Sequence, residues 1–343
     1  MAKGDIRDFT LEELNREMIE IGEPPYRSRQ IFLSLYQKGG SSFEDISGIP
    51  KNLKEKLAER YYISFPELSE HLKSSEDGTE KFLFKLADGN FIETVLIKNR
   101  NRKTICLSTQ VGCRFKCQFC ASGKKGFVRD LSPSEIVNQV IFLQHNLKHK
   151  ITNYVFMGMG EPLDNYKNVS KAIMIINSQE GLNIGARRIT VSTCGIIPGI
   201  EKLKDLGLQV NLSVSLHATS NKLRNELVPI NRKYPLEELI ASCRNYKTAL
   251  GRMITFEYVL IKDKNDSLLE AQRLAVIAKR LKAKVNLIEC SPVFDTEYKP
   301  PAKREINEFM KRLVGMGVKV TLRESKGKDI KAACGQLAGI SNL

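Results

Sequence analysis

The chain has no tryptophan, no low-complexity tract and no short-period repeat, which argues against a disordered tail or a solenoid. Long apolar runs are missing too: stretches such as 172–176 fall far short of the ~18 residues that span a bilayer. Residues 1–14 are polar and lack the apolar centre of a secretory signal. These absences predict a cytoplasmic protein without a membrane span. Acidic side chains are in deficit, with 39 Asp+Glu against 54 Lys+Arg, a net charge of +15. That excess favours a polyanionic partner, because each cation set against a phosphate releases a counterion. A membrane surface, an acidic small molecule or a solvated salt-bridged face are the other readings of the charge.

At 42% apolar over 343 residues, the chain can build a sizeable core. That length suits roughly two domains, or one large α/β barrel with an accessory module. Eight cysteines fall at 106, 113, 117, 120, 194, 243, 290 and 334. In a reducing compartment they are not expected to pair as structural disulfides. Cys113, Cys117 and Cys120 lie within eight residues, a metal-ligand density. Cys194, Cys243 and Cys290 read as buried structural thiols.

The first 65 residues read as helical. Leu11, Leu14, Met18 and Ile21 repeat every three to four residues after Thr10, an N-cap with Glu13 three positions on. Pro24-Pro25 ends that helix, another runs over 26–38, and short helical pieces flank Pro50. From residue 80 the period becomes two: 81–86 and 91–97 flank Asp88-Gly89-Asn90, a hairpin signal. A basic loop spans 98–103. Strand patterns then recur at 104–110, 153–157, 188–194, 209–216, 254–261, 284–290 and 319–323. Helical patterns lie between them at 133–147, 167–177, 200–206, 236–250, 267–281 and 302–315. This alternation predicts an α/β fold, a partial or full (β/α) barrel with ligands at the C-terminal ends of its strands. The expected organisation is a helical module at 1–65, a β-hairpin connection at 66–98, a barrel at 99–325 and a tail at 326–343.

Cys113-Arg-Phe-Lys-Cys117-Gln-Phe-Cys120 sits in the loop leaving the first barrel strand. Thiolates hold iron–sulfur clusters or zinc. A structural zinc wants four ligands and no local fourth is visible; His145 and His149 lie a helix away. On a four-iron cluster, three thiolates leave one iron open for an exchangeable ligand.

This run, placed after the first strand of a repeating β/α chain, resembles the radical S-adenosylmethionine (SAM) superfamily. The likeness narrows with Phe156-Met-Gly-Met-Gly-Glu-Pro-Leu163 and Asn165, Ile189-Thr-Val-Ser-Thr-Cys-Gly195, Val214-Ser-Leu-His-Ala218 and Asp329-Ile-Lys-Ala-Ala-Cys-Gly-Gln-Leu337. Together and in order, these motifs resemble the RlmN/Cfr family of adenine methyltransferases over nearly the whole chain. Pro162 stands where C8-directed members carry Ala, which points to C2 of adenine.

The resemblance implies a [4Fe-4S] cluster on Cys113, Cys117 and Cys120, and two SAM molecules per turnover. An adenine C2–H is neither nucleophilic nor acidic, so direct methyl transfer fails. The family is understood to park a methyl group first on a cysteine, here Cys334. A 5′-deoxyadenosyl radical then takes hydrogen from that methyl, and the carbon radical adds to the ring. By the same match Glu93 removes the C2 proton and Cys106 attacks the Cys334 sulfur, leaving a disulfide. Read without the motifs, Cys106 is a small core residue, Cys334 a surface-tail thiol and Glu93 a solvent-facing strand position. SAM contacts implied by the match are Gly160, Glu161, Ser192, Ser215, Leu216 and His217. Ser291 is a further one, although it stands where the family has Asn, with a shorter reach.

The implied partners are 23S rRNA and tRNA, an electron donor and a disulfide reductant, with no membrane; the protein is expected to be a monomer. Candidate RNA contacts are Tyr26, Arg27, Arg29, the loop 99–103, Lys124, Lys125, Arg129, Arg187 and Arg188. Competing functions are C8 methylation, radical chemistry on a small metabolite or peptide, and a non-catalytic iron–sulfur RNA-binding protein.

Overall fold

Thr10 caps the helix Leu11–Glu20 through a reciprocal capping box with Glu13. Helices Tyr26–Tyr36 and Lys51–Arg60 start directly after Pro25 and Pro50. Leu14, Met18, Ile31, Phe32, Leu35, Leu53 and Leu57 are buried as the core of this module. Strand Gly4–Asp5 pairs in parallel with Tyr61–Tyr62 and ties the two ends of the module together. Arg7 is fully buried and docks the module onto the rest of the chain. Its guanidinium donates to the carbonyls of Ser64 and Gly40 and to Oδ1 of Asn138, each at 2.8 Å. Asn138 belongs to the helix Pro133–Ile141. The computed structural model describes residues 3–99, 101–291, 293 and 296–339.

One ten-stranded sheet organises the rest of the chain. Seven of its strands are parallel and lie in chain order: Arg102–Cys106, Asn153–Phe156, Ile189–Thr193, Asn211–Ser215, Thr255–Leu260, Lys284–Glu289 and Lys319–Arg323. Helices Pro133–Ile141, Tyr166–Asn177, Ile197–Asp205, Leu236–Leu250, Leu268–Leu281 and Lys303–Gly315 make the crossovers. Neighbours in sequence are neighbours in space throughout, the β/α-barrel arrangement rather than a doubly wound one. The end strands of the sheet do not pair with each other, so the barrel is partial.

Several expected boundaries shift for local reasons. The first barrel strand ends at Cys106, because the loop after Phe156 takes over the next backbone groups. Gly158 donates to the Leu107 carbonyl at 3.0 Å, and Thr109 donates to that of Met159 at 2.8 Å. Gln110–Gly112 then pairs with Phe127–Asp130 in a small ribbon that frames the cysteine loop. The helix expected over 133–147 changes to a π-turn at Phe142–Asn146, and that expected at 200 begins at Ile197. The basic stretch 98–103 is a strand turn, with Lys98 opposite Lys103 and Asn99 opposite Arg102; Arg100 lies outside the described residues. Strand Glu67–Lys73, which has no apolar alternation, pairs with Glu80–Lys85. That strand and Phe91–Asn99 continue the barrel sheet, so Cys106 stands opposite Val95 and close to Glu93.

After Arg323 the described chain forms no helix or strand. It is pinned by side chains instead: Gly327 donates to Asp77 at 2.9 Å and Lys328 meets Glu289 at 2.9 Å. Residues 340–343 lie outside the described residues. No described helix is long and apolar enough to cross a membrane.

Candidate functional site

The cysteine loop is shaped by backbone geometry. Gly112 has φ 72°, and a Cβ there would sit 1.7 Å from the Gly126 carbonyl oxygen, so only glycine fits where the loop leaves the ribbon. Cys113 donates its amide to that same carbonyl at 3.0 Å. Cys113, Cys117 and Cys120 line one cavity. Burial pushes all three thiols up, Cys113 to about 12. Cys117 is raised further by the neighbouring Cys120 and Cys113. Among the described residues no three His, Cys, Asp or Glu side chains converge on a single-ion site. The zinc alternative also loses its distant ligands. His145 is bonded to the Tyr36 carbonyl at 3.0 Å, and His149 lies 3.6 Å from Glu80; neither lines the cavity. The donor set therefore fits a cluster with one open corner.

Gly160, Glu161, Ser192, Ser215 and His217 line the same cavity at successive strand ends. Glycine at 160 also has a packing reason. Its φ is 94°, and a Cβ would lie 2.5 Å from the Cβ of Gln110, so the loop packs against the ribbon. Gln110 in turn accepts the Glu161 amide at 2.8 Å. Glu161 is buried, and desolvation raises its carboxyl pKa. Its oxygens accept the amides of Leu163 at 3.1 Å and Cys194 at 2.7 Å. Ser192 donates to the Phe156 carbonyl at 2.6 Å. His217 adopts a left-handed φ of 56° and accepts the Val259 amide on Nδ1 at 3.0 Å, which puts the ring proton on Nε2. Burial, helped by Arg224, lowers its pKa to about 3, so the ring is neutral. Leu216 is buried behind the cavity and Ser291 lies off it with its hydroxyl unpartnered; neither lines it. Asn165 is structural, its amide donating to the carbonyls of Thr109 and Leu131 at 2.8 Å each.

Cys334 lines this cavity and also a larger one of about 720 Å³, whose walls include Cys106. The two residues, 228 positions apart in the chain (334 minus 106), thus border a shared space. Burial, then the nearby Cys334, pushes the Cys106 thiol up to about 12, while Arg323 pulls it down. Arg323 borders both cavities and bonds Glu257 at 3.3 Å. Glu257 is buried and also accepts from Ser213 at 2.7 Å and Asn286 at 2.9 Å.

Glu93 departs from its expected setting. It is 3% exposed, lines neither cavity, and pairs with Lys81 at 2.8 Å. Sequence reasoning missed Lys81, Glu257, Arg323 and Arg224. Glu257 alone left a signal, a single carboxylate in the otherwise uncharged strand Thr255–Leu260.

Several basic residues named for RNA have internal partners. Arg29 pairs with Glu180 at 2.6 Å, Arg129 with Asp88 at 2.6 Å and with Glu135 at 2.7 Å. Arg27 donates to the Gly48 carbonyl at 2.8 Å, Lys125 to that of Gly339 at 2.9 Å, and Arg187 to Gln209 at 3.0 Å. Tyr26, Arg102 and Arg188 are exposed.

A family model described as "Radical SAM superfamily" matches residues 107–275, and one described as "Ribosomal RNA large subunit methyltransferase N-terminal domain" matches 4–63. A protein of Clostridium novyi (strain NT) described as "Probable dual-specificity RNA methyltransferase RlmN" is 45% identical over 333 residues, covering 97% of each chain. One of the same description from Caldicellulosiruptor saccharolyticus is 46% identical, covering 97% of this chain and 96% of that one. Among solved structures, a radical SAM methyltransferase from Sphaerobacter thermophilus is similar, with a TM-score of 0.92, 42% identity and 98% and 100% of the two chains covered.

Proposed function

The chain belongs to the RlmN family of radical SAM RNA methyltransferases, and from that premise we propose that it methylates C2 of an adenosine in 23S rRNA and of the adenosine 3′ of the anticodon in tRNAs. Its cofactors are those of the superfamily, a [4Fe-4S] cluster and SAM. When bound, they supply one-electron cleavage of a sulfonium and hydrogen abstraction, chemistry that no side chain here provides.

The chain's own residues do the rest. Cys113, Cys117 and Cys120 would hold the cluster and leave one corner for SAM. Glu161, Ser192, Ser215 and the Nε2–H of His217 offer SAM acceptors and donors around one cavity. Cys334 carries the methyl group, and Arg323 borders the same two cavities. Glu93 accepts the C2 proton. In the release step the Cys106 thiolate attacks the Cys334 sulfur: an S–S bond forms, the S–C bond breaks, and the carbon leaves with the electron pair and is protonated to the methyl group. A reductant then resets the disulfide, and the electron that the ring releases with its C2 proton would go to the cluster held by Cys113, Cys117 and Cys120.

One observation carries the reading: Cys106 and Cys334 border the same cavity, joined by Cys334 to the cavity of the cysteine loop. The test is anaerobic turnover of reconstituted Cys106→Ala protein with SAM, reductant and an rRNA fragment. The expected product is RNA covalently linked to Cys334, while wild type yields 2-methyladenosine. Free methylated product from the variant contradicts the release role of Cys106, and a methyl at C8 in the wild-type product replaces C2 with the other family chemistry.

A further inference from the structure

The pairing of Lys81 with Glu93 is not explained by proton transfer at C2. Both side chains are almost fully buried, 4% and 3% exposed, with Nζ 2.8 Å from Oε1. A charge pair this dry is costly unless the remaining acceptor sites are also filled. The C-terminal tail fills them: Oε2 of Glu93 accepts the amides of Ala338 at 2.6 Å and Gly339 at 2.8 Å. Hydrogen bonds to an ionised carboxylate are the strong kind. The fit is close. Gly339 has φ 62°, and a Cβ there would lie 2.5 Å from the Phe91 carbonyl oxygen.

The other flank of the same segment rests on the cysteine loop. Ala121 donates to the Gly335 carbonyl at 2.7 Å, Ser122 to that of Leu337 at 2.6 Å and Lys125 to that of Gly339 at 2.9 Å. Cys334 immediately precedes this clamped stretch and has neither helix nor strand to hold it.

We infer that Lys81 is a positioning residue: it orients Glu93 as a latch for the Ala338–Gly339 amides, and the latch sets Cys334 between the cysteine loop and Cys106. Docking of the tail leaves Glu93 fully occupied. One oxygen faces an ammonium and the other faces two amides, so substrate proton and tail compete for Oε2. The carboxylate becomes free to accept a proton when the 338–339 segment withdraws. The latch stands on geometry alone; only this competition rests on the proposed role of Glu93 as base.

Hydrogen exchange by mass spectrometry on the full chain, without SAM or RNA, reads the latch directly. Lys81→Met is expected to speed exchange of the Ala338 and Gly339 amides about tenfold or more, while peptides from Phe91–Asn99 and the parallel strands keep wild-type protection. Ala338→Pro deletes one of the two donors without touching the buried pair, and is expected to loosen the tail likewise. Unchanged tail exchange in either variant overturns the latch, and the proline variant decides the matter if Lys81→Met does not fold. In loaded protein with RNA, Lys81→Met is expected to keep forming 5′-deoxyadenosine near the wild-type rate while methyl transferred per cleavage drops about tenfold. A parallel fall in both marks Lys81 as merely structural. The exchange experiment needs no turnover, so it stays decisive even if the proposed methylation is wrong.

Discussion

The parallel strands and the C-terminal tail deliver groups to adjoining cavities, but they are held in opposite ways. At the strand ends the backbone is clamped from inside. Arg224, fully buried, donates to the carbonyls of Cys194 at 2.6 Å, Leu216 at 3.2 Å and Ser215 at 3.2 Å, and to Asn231 at 2.9 Å. Asn265 bridges the carbonyls of His217 and Val259 at 2.8 and 2.7 Å. The tail has no ladder of its own and hangs on a few side chains, the Lys81–Glu93 pair foremost. A cofactor pocket gains from preorganisation, because every ångström of drift weakens the interactions that drive the chemistry. Under the mechanism proposed above, Cys334 meets SAM, then RNA, then Cys106, which calls for an attachment that can let go, and such segments come from the low-stability end of a structure.

Four experiments press on that contrast. The largest effect separates the two regions chemically. Cys117→Ser is expected to lose iron, sulfide and SAM cleavage together, whereas Cys334→Ser keeps all three and loses methylation by about a thousandfold or more. Iron analysis and 5′-deoxyadenosine assays distinguish them, and equal iron loss in both breaks the division of labour. Next, Arg224→Met leaves buried carbonyls and Asn231 without their donor, so denaturant unfolding should show a loss of about 3 kcal/mol or more. A loss under half that size means the strand ends are held by the sheet alone.

His217 sharpens the claim that the strand ends are dry. Its folded pKa, near 3, lies below the unfolded value near 6.5, so between those values the unfolded chain binds the proton and the folded chain does not. Its stabilising contribution is therefore complete above pH 6.5 and declines as pH falls toward 3, by roughly 1.4 kcal/mol per pH unit. His217→Gln should flatten the fall of Tm across that window, and an unchanged slope contradicts burial of the ring. The smallest effect belongs to a solvent-facing pin of the tail. Lys328→Ala removes the contact with Glu289, 44% exposed on the lysine side, and should cost less than about 1 kcal/mol. A larger loss by denaturation means the tail is integral to the barrel.

The contrast also explains what could be read in advance. Alternating strand and helix patterns located every parallel strand, because buried strands and amphipathic crossovers carry their periods in local sequence. Strand Glu67–Lys73 escaped notice because its residues are exposed or half-buried and mostly polar or charged, and pairing with Glu80–Lys85 makes it a strand. The cysteine loop and the strand-end motifs were legible because their spacing is local. Glu93 was not. Its surroundings are assembled from Lys81 on the next strand and from amides 245 and 246 residues away. Arg323 and Glu257 face each other 66 residues apart, and neither carries a motif. Gly160 borders the cavity, and its contact with Gln110 was invisible without the ribbon.

The convergence of the two cysteines is best tested by mild oxidation of the cluster-free full chain, followed by alkylation of free thiols and disulfide mapping by peptide mass spectrometry. Wild type should yield a peptide joining Cys106 to Cys334, and Lys81→Met should yield markedly less of it. A Cys334 that is fully alkylated while Cys106 stays reduced, in wild type under the same oxidant, contradicts the shared cavity.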